Sequence, residues 1–78
     1  MSPTTSILDL SPGDFATVTA LSQTAAQAPT LVLHGFVPGT RIQMVRRAPF
    51  GDPLIIRLRG VEVAMRAQDA EALSIERC

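Results

Sequence analysis

The chain has 78 residues, of which 46% are hydrophobic, and it contains no tyrosine or tryptophan. A domain of this size buries only ~60% of the surface of its unfolded chain, so it needs an efficient aliphatic core and has no room for a second domain. Its net charge is zero, but Arg41 to Arg66 carries six arginines against Asp52 and Glu62. The positive charge is therefore concentrated in the middle of the chain.

The cysteine content and the hydropathy pattern predict a cellular compartment. The single cysteine, Cys78, excludes an intramolecular disulfide and favours a reducing environment. No segment approaches the roughly 20 apolar residues that cross a bilayer, and residues 1–10 lack the basic start and apolar stretch of a signal peptide. We therefore expect a cytosolic protein.

The N-terminal part of the chain predicts a tail followed by a strand. Residues 1–6 are polar and predict a flexible tail, and residues 7–78 form the single domain, with Leu8 and Leu10 anchoring its start in the core. A turn at 11–14 precedes residues 15–21, whose β-branched residues predict the first strand.

Residues 24–34 contain the clearest helical candidate. Because Pro29 is tolerated only in the first turn of a helix, the helix is predicted to begin there and to end at Gly35 as a left-handed C-cap. Ser22 or Thr24 is the candidate N-cap. A helix this short gains its stability by covering one end of the β-structure.

Residues 35–66 predict a three-stranded meander, around which the chain is organised. Pro38-Gly39 and residues 49–53 are turn sequences, and strands are expected at 40–48, 54–60 and 61–66. The first of these strands places two apolar and three polar residues on opposite faces, namely Ile42 and Met44 against Arg41, Gln43 and Arg47.

The C-terminal residues predict a helical turn and a last strand. Residues 67–73 are good helix formers without a breaker, and residues 74–77 complete a set of five strands. The fold class is therefore mainly β: a small, partly open, SH3-like five-stranded barrel with one or two short helices.

The two turn sequences also resemble a known family. GFVPGT at residues 35–40 and APFGDPLIIRLRG at residues 48–60 occur in the order and at the spacing found in the FeoA family, and the resemblance extends from Leu8 to Glu76. It implies an SH3-like barrel and a small cytosolic, non-enzymatic protein that acts with FeoB, the membrane ferrous-iron transporter with a cytoplasmic G-protein domain. His34 and Thr30 depart from residues common at those positions.

The residues themselves indicate no catalytic or cofactor site. The carboxylates are scattered, no nucleophile motif is present, and no glycine-rich loop precedes a helix. His34 and Cys78 are far apart in sequence and do not define a metal site. We predict no enzyme activity, no cofactor and no metal ligands.

The predicted role is contact with another protein, and the resemblance implies that this partner is the cytosolic part of a FeoB-type transporter. The candidate contact residues are Leu31, Phe36, Pro38, Phe50, Arg46 and Arg47. Arg46 and Arg47, together with Arg57 and Arg59, are expected to form a cationic patch. The alternative for this patch is a solvated strand face whose arginines pair locally with Glu62 and Asp52.

Two other functions remain open from the sequence. One is a metal-sensing or corepressor-like barrel, similar to the C-terminal domain of diphtheria-toxin-type repressors. The other is a nucleic-acid-binding barrel. It is less favoured because single-strand binders usually add aromatic stacking platforms, and the only aromatic residues of this chain are three phenylalanines. Nucleic acid is not expected as a partner, and weak self-association through an open barrel edge is a further expectation.

Overall fold

The computed structural model describes residues 6–78 and consists mainly of β-strands. Its elements, in chain order, are a 3-10 helix at Ile7–Asp9, β1 at Phe15–Leu21, α1 at Ala28–His34, β2 at Arg41–Arg47, β3 at Leu54–Leu58, β4 at Val61–Met65, α2 at Ala67–Ala70 and β5 at Leu73–Arg77. The predicted fold class is confirmed, and the strand bounds differ from the expected ones by at most two residues. Most of the predicted tail, residues 1–5, lies outside the described residues.

The five strands form one antiparallel sheet in the order β4-β3-β2-β1-β5. β2, β3 and β4 are the predicted meander, and β1 lies between β2 and the C-terminal strand. β4 and β5 are the two edges of the sheet, so the barrel is open between them. Its inner face is lined by alternate strand residues, except where a register shift interrupts the alternation in β1 and β2.

The core is aliphatic apart from one phenylalanine. Within the described part of the chain, every buried side chain is hydrophobic. The largest fully buried residues are Phe36, Ile7, Leu10, Ile42, Met44, Leu54, Ile56, Ile75 and Val18. Each side chain of this size contributes about 1.5–3 kcal/mol when it leaves water, and six of the nine lie in the strands of the meander or in the N-terminal segment.

The N-terminal segment enters the core through a 3-10 helix that the sequence did not predict. Ser6 caps this helix, because its hydroxyl accepts the Leu8 N–H while Asp9 accepts the Ser6 N–H. Ile7 and Leu10 are buried, whereas Leu8 is only partly buried. The predicted anchors are confirmed, since Leu10 is buried and Leu8 is packed against the core, and Ile7 is a third anchor.

A β-bulge in β2 changes which face its last residues occupy. Met44 pairs with Ile56, but the next registered pair is Arg46 with Ile55, so one extra residue lies in β2. Arg47 then pairs with the buried Leu54 and shares its inner side. The prediction that Arg47 lies on the face of Arg41 and Gln43 is wrong, because strict alternation does not continue through a bulge.

The turns of the meander are short and well specified. The Ala48 N–H donates to the Pro53 carbonyl at 3.0 Å, which closes the predicted turn between β2 and β3. β3 and β4 are joined by two residues, Arg59 and Gly60, both with positive φ, which is the type I′ hairpin turn. β3 therefore ends at Leu58 rather than at residue 60.

Helix α1 begins one residue before Pro29 and ends at the predicted C-cap. Gly35 has φ of 102°, and its backbone N–H donates toward the Leu31 and Val32 carbonyls. The N-cap is Gln27, which forms no side-chain cap hydrogen bond. The predicted N-caps, Ser22 and Thr24, are wrong, because their hydroxyls lie 3.1 Å from each other instead.

Candidate docking surface

Helix α1 presents a different set of apolar residues from the predicted one. Leu31 is 5% exposed and Phe36 is fully buried, so both are core residues whose side chains face the barrel. Leu33 is 87% exposed and Val32 is 44% exposed. Successive helical residues are 100° apart, so a helix that buries Leu31 has to turn Leu33 away from the core.

That signal was present in the sequence. Once Pro29 defines the first turn and Gly35 the end, Leu31 and Gly35 lie on one side of the helix, and residue 33 lies on the other. Sequence reasoning selected Leu31 and Phe36 as contact residues and did not consider Leu33, because it did not ask which side of the helix faces the sheet. Pro38, in the following turn, is exposed as a contact residue should be.

The second apolar contact lies on the hairpin tip between β2 and β3. Phe50 is 98% exposed, and it sits between Pro49 and Gly51. The Gly51 N–H donates to the Ala48 carbonyl at 2.8 Å, so the turn that carries the ring is internally hydrogen-bonded. A large aromatic side chain held in solvent on an ordered turn is a common form of protein contact residue.

The structure does not bring these two contacts together. β2 starts at Arg41, next to the turn that follows α1, and it ends at Arg47, next to the hairpin tip. A strand of this length spans roughly 20 Å. Leu33 and Phe50 therefore lie at opposite ends of the β2–β3 ribbon, and one partner contacts both only if it covers that length.

The arginines divide into two groups. Arg46 is exposed near the hairpin tip, whereas Arg47 donates from its guanidinium to the carbonyls of Leu8 and Leu10, the latter at 3.2 Å. Arg47 therefore ties the end of β2 to the 3-10 helix. The predicted patch, in which Arg47 joins Arg57 and Arg59 on one face, is corrected accordingly.

Three other arginines line a shallow groove on the outer face of the sheet. We call it the arginine groove and define it by Phe15, Arg41, Gln43, Arg57 and Arg59, which surround a volume of about 170 Å³. Sequence reasoning missed Arg41 and Phe15, because Phe15 lies on β1, and only the pairing of β1 with β2 places it beside the meander.

Positive charge is in excess in the arginine groove. Arg57 pairs with Glu62 on β4 at 2.6 Å, and the Arg41 guanidinium lies 4.6 Å from the centroid of the Phe15 ring. The Arg59 side chain lies against Gly35 at the end of α1. Of the local ion pairs predicted as the alternative, the pair with Glu62 is present. The one with Asp52 is not observed, since Asp52 accepts the Ala67 N–H instead.

Metal-ligating residues are scattered over the part of the chain that the structure describes. Within residues 6–78, no group of three histidine, cysteine or acidic residues could hold a metal ion. His34 and Cys78 are both exposed, at the end of α1 and after β5. Over the same range, no helix has the length and apolarity needed to cross a bilayer.

One carboxyl group, away from the docking surface, has a shifted pKa. The pKa of Asp14 is lowered from its ordinary value of 3.8, chiefly because its carboxylate accepts the Ser11 N–H, and further because Arg77 donates to it. Arg77 also donates to the Asp9 carbonyl at 3.2 Å. Asp14 therefore serves to hold β5 to the N-terminal turn.

Comparison with known proteins identifies relatives of the whole domain. The model of the FeoA domain matches residues 5–77. The iron(II) transport protein A of Clostridium thermocellum is 30% identical, with a TM-score of 0.87 over 94% of this chain and 45% of that one. This chain thus spans less than half the length of that relative.

Two further solved structures extend the comparison. The zinc complex of FeoA from Stenotrophomonas maltophilia is 25% identical, with a TM-score of 0.78 over 91% of this chain and 88% of that one. It is described as an SH3 domain protein and a possible activating factor of bacterial ferrous iron transport. A manganese-dependent transcriptional repressor, 18% identical, matches 100% of this chain and 44% of its own with a TM-score of 0.86, which shows a shared fold alone.

Proposed function

Because the chain belongs to the FeoA family, we propose that it is a non-enzymatic accessory protein of ferrous-iron uptake that docks on the cytosolic part of a FeoB-type transporter. The description of the S. maltophilia relative as a possible activating factor for ferrous iron transport supports this proposal. A cytoplasmic location follows from the same proposal, since the partner surface faces the cytoplasm. No nucleic acid and no metal cofactor take part.

The observation that carries the proposal is the exposure of large apolar residues on ordered elements. Phe50 and Leu33 are 98% and 87% exposed, although a chain of this size needs its apolar residues for the core. Aromatic and aliphatic anchors of this kind fill pockets on a partner and contribute most of the binding energy. Pro38 and Arg46 are exposed beside these two anchors and complete the contact.

The burial of Leu31 and Phe36 changes their part in docking. Their side chains hold α1 and the following turn against the core, which keeps Leu33 and Pro38 in position. Arg47 acts in the same indirect way through the 3-10 helix. These three residues thus support the contact, and the exposed ones make it.

Binding to the purified cytosolic region of the FeoB-type transporter from the same organism tests this assignment. Leu33→Ser and Phe50→Ser should each weaken binding about tenfold or more, as expected for interface anchors. Val61→Ser is the matched control, because Val61 is 59% exposed but lies on the edge strand β4. Unchanged binding in both anchor variants, or an equal loss in the control, would exclude this docking surface.

The alternative is a metal-sensing barrel, and it can be tested separately. Its support is a fold shared with a manganese-dependent repressor, a likeness of fold alone. Stoichiometric binding of Fe²⁺ or Mn²⁺ under reducing conditions, lost on His34→Ala, would favour it over docking. Weak self-association through the edges of β4 and β5 is examined in the same samples by sedimentation.

A further inference from the structure

We propose that the arginine groove binds an acidic peptide segment of a partner protein. Three guanidinium groups line it, and Glu62 is the carboxylate that pairs with one of them. Among residues 6–78, Arg41 and Arg59 form no ion pair, so their charges are available to a ligand. This inference is independent of the proposed function, because it concerns a different surface and any protein can supply the segment.

The strand register holds the groove residues in a fixed arrangement. Phe15 pairs with Gln43, Gln43 with Arg57 and Arg57 with Glu62, so these side chains form one row across four strands. Arg41 is paired with Thr17, one step along the same face. Ligand groups that bind such a row therefore meet side chains at regular spacing, close to 4.8 Å from strand to strand.

Two of the guanidinium groups are ordered before any ligand arrives. The Phe15 ring holds the Arg41 guanidinium at 4.6 Å by a cation–π contact. Arg59 lies in the hairpin turn, and its side chain packs on Gly35, where an added Cβ would come within 3.3 Å of Nε. Preordered side chains lose less entropy on binding, which favours a charged ligand at an otherwise exposed site.

The chemistry of the groove favours carboxylates on a peptide. The planar fork of arginine matches a carboxylate with two parallel hydrogen bonds. Phe15 is 41% exposed and gives an apolar contact for a side chain between two acidic ones. A peptide that alternates acidic and apolar residues fits both features.

A nucleic acid fits the groove less well. One face of the Phe15 ring is already occupied by Arg41, which reduces its use as a stacking platform for a base. The Glu62 carboxylate beside Arg57 repels a continuous phosphate backbone, whereas a peptide can place a neutral residue there. The charge balance of the groove therefore selects the peptide.

Fluorescence anisotropy with a labelled synthetic peptide of alternating glutamate and leucine tests the proposal. We expect weak, salt-sensitive binding that is absent for the same peptide with glutamine in place of glutamate. Arg41→Gln and Arg59→Gln should each weaken binding about two- to fivefold, the range of an exposed ion pair. Backbone amide shifts in NMR spectra should centre on Phe15, Arg41, Arg57 and Arg59.

Arg66→Gln is the matched control, because it removes the same charge from an exposed arginine outside the groove. An equal effect of this control would show that the peptide responds to net charge, and it would overturn the proposal. Tighter binding of a single-stranded uridine oligonucleotide or of phosphatidylglycerol vesicles at the same salt would also overturn it. Retained circular dichroism spectra confirm that the variants are folded.

Discussion

Arginine has different roles on the two faces of the β2–β3 hairpin. On the inner side, Arg47 gives its hydrogen bonds to backbone carbonyls of the 3-10 helix. On the outer side, Arg41 and Arg59 have no carboxylate partner within the described residues. The difference teaches that strand register, and not residue type, separates the arginines that hold the fold from those open to a partner.

The largest effect is expected from removing a core aromatic residue. Phe36→Ala should lower the free energy of unfolding by about 3–5 kcal/mol, because it leaves a cavity in a fully packed site. Total stability for this chain length is on the order of 5–10 kcal/mol, so the variant should be close to unfolding. Urea denaturation followed by circular dichroism measures the change.

Phe50→Ala is the matched control for that experiment. Its ring is 98% exposed, so the unfolding free energy should change by less than about 0.5 kcal/mol. A loss of stability at residue 50 comparable to that at residue 36 would contradict the assignment of one phenylalanine to the core and the other to contact.

A smaller effect is expected from the arginine that the bulge turns inward. Arg47→Met removes the hydrogen bonds to the Leu8 and Leu10 carbonyls but keeps an aliphatic side chain. It should lower the free energy of unfolding by about 1–2 kcal/mol. The estimate lies at the low end for charged hydrogen bonds because the site is only partly buried. Thermal unfolding is the measurement.

Arg46→Met sharpens the contrast between adjacent residues. Arg46 is exposed, so its replacement should change stability by less than about 0.5 kcal/mol. Equal destabilisation by both substitutions would mean that the bulge does not separate their roles. Faster hydrogen exchange at Leu10 in the Arg47 variant alone would support the separation.

The sequence predicts the strands well because local chemistry determines them. The alternation of apolar and polar residues and the turns at 38–39 and 49–53 define the meander without knowledge of its neighbours. The 3-10 helix was missed because its few residues have no periodicity, although Ser6 followed by Asp9 three residues later is a capping-box sequence that signals its start. The bulge in β2 was missed because it results from pairing with β3.

The candidate site was less predictable than the fold. Phe50 could be placed on a hairpin tip from its flanking prolines and glycine, and the structure shows its ring in solvent. The helical spacing places Leu31 and Leu33 on opposite sides of α1, but which of the two sides packs on the sheet depends on the tertiary structure. Whether any of these residues binds a partner stays a prediction.

The smallest expected effect concerns Asp14. Arg77 donates to its carboxylate and, like Arg47, holds parts of the fold together. The pKa of Asp14 is lower in the folded state than its ordinary value of 3.8, so the ionised carboxylate stabilises the fold. This stabilisation is complete above about pH 3.8 and is lost as the pH falls through the folded-state pKa. Asp14→Asn should therefore unfold more easily than the parent chain near neutral pH, and the difference should narrow below about pH 3.8. Urea midpoints measured across that range show the change.

Arg77→Gln distinguishes the two causes of this pH dependence. The hydrogen bond from the Ser11 N–H is the largest single cause of the lowered pKa, and Arg77 lowers it further through its own hydrogen bond and its charge. The Arg77 variant should therefore keep part of the acid-sensitive stability that the Asp14 variant loses. If both variants lost it equally, the ion pair rather than the turn would hold Asp14, and Arg77 would be as strongly structural as Arg47.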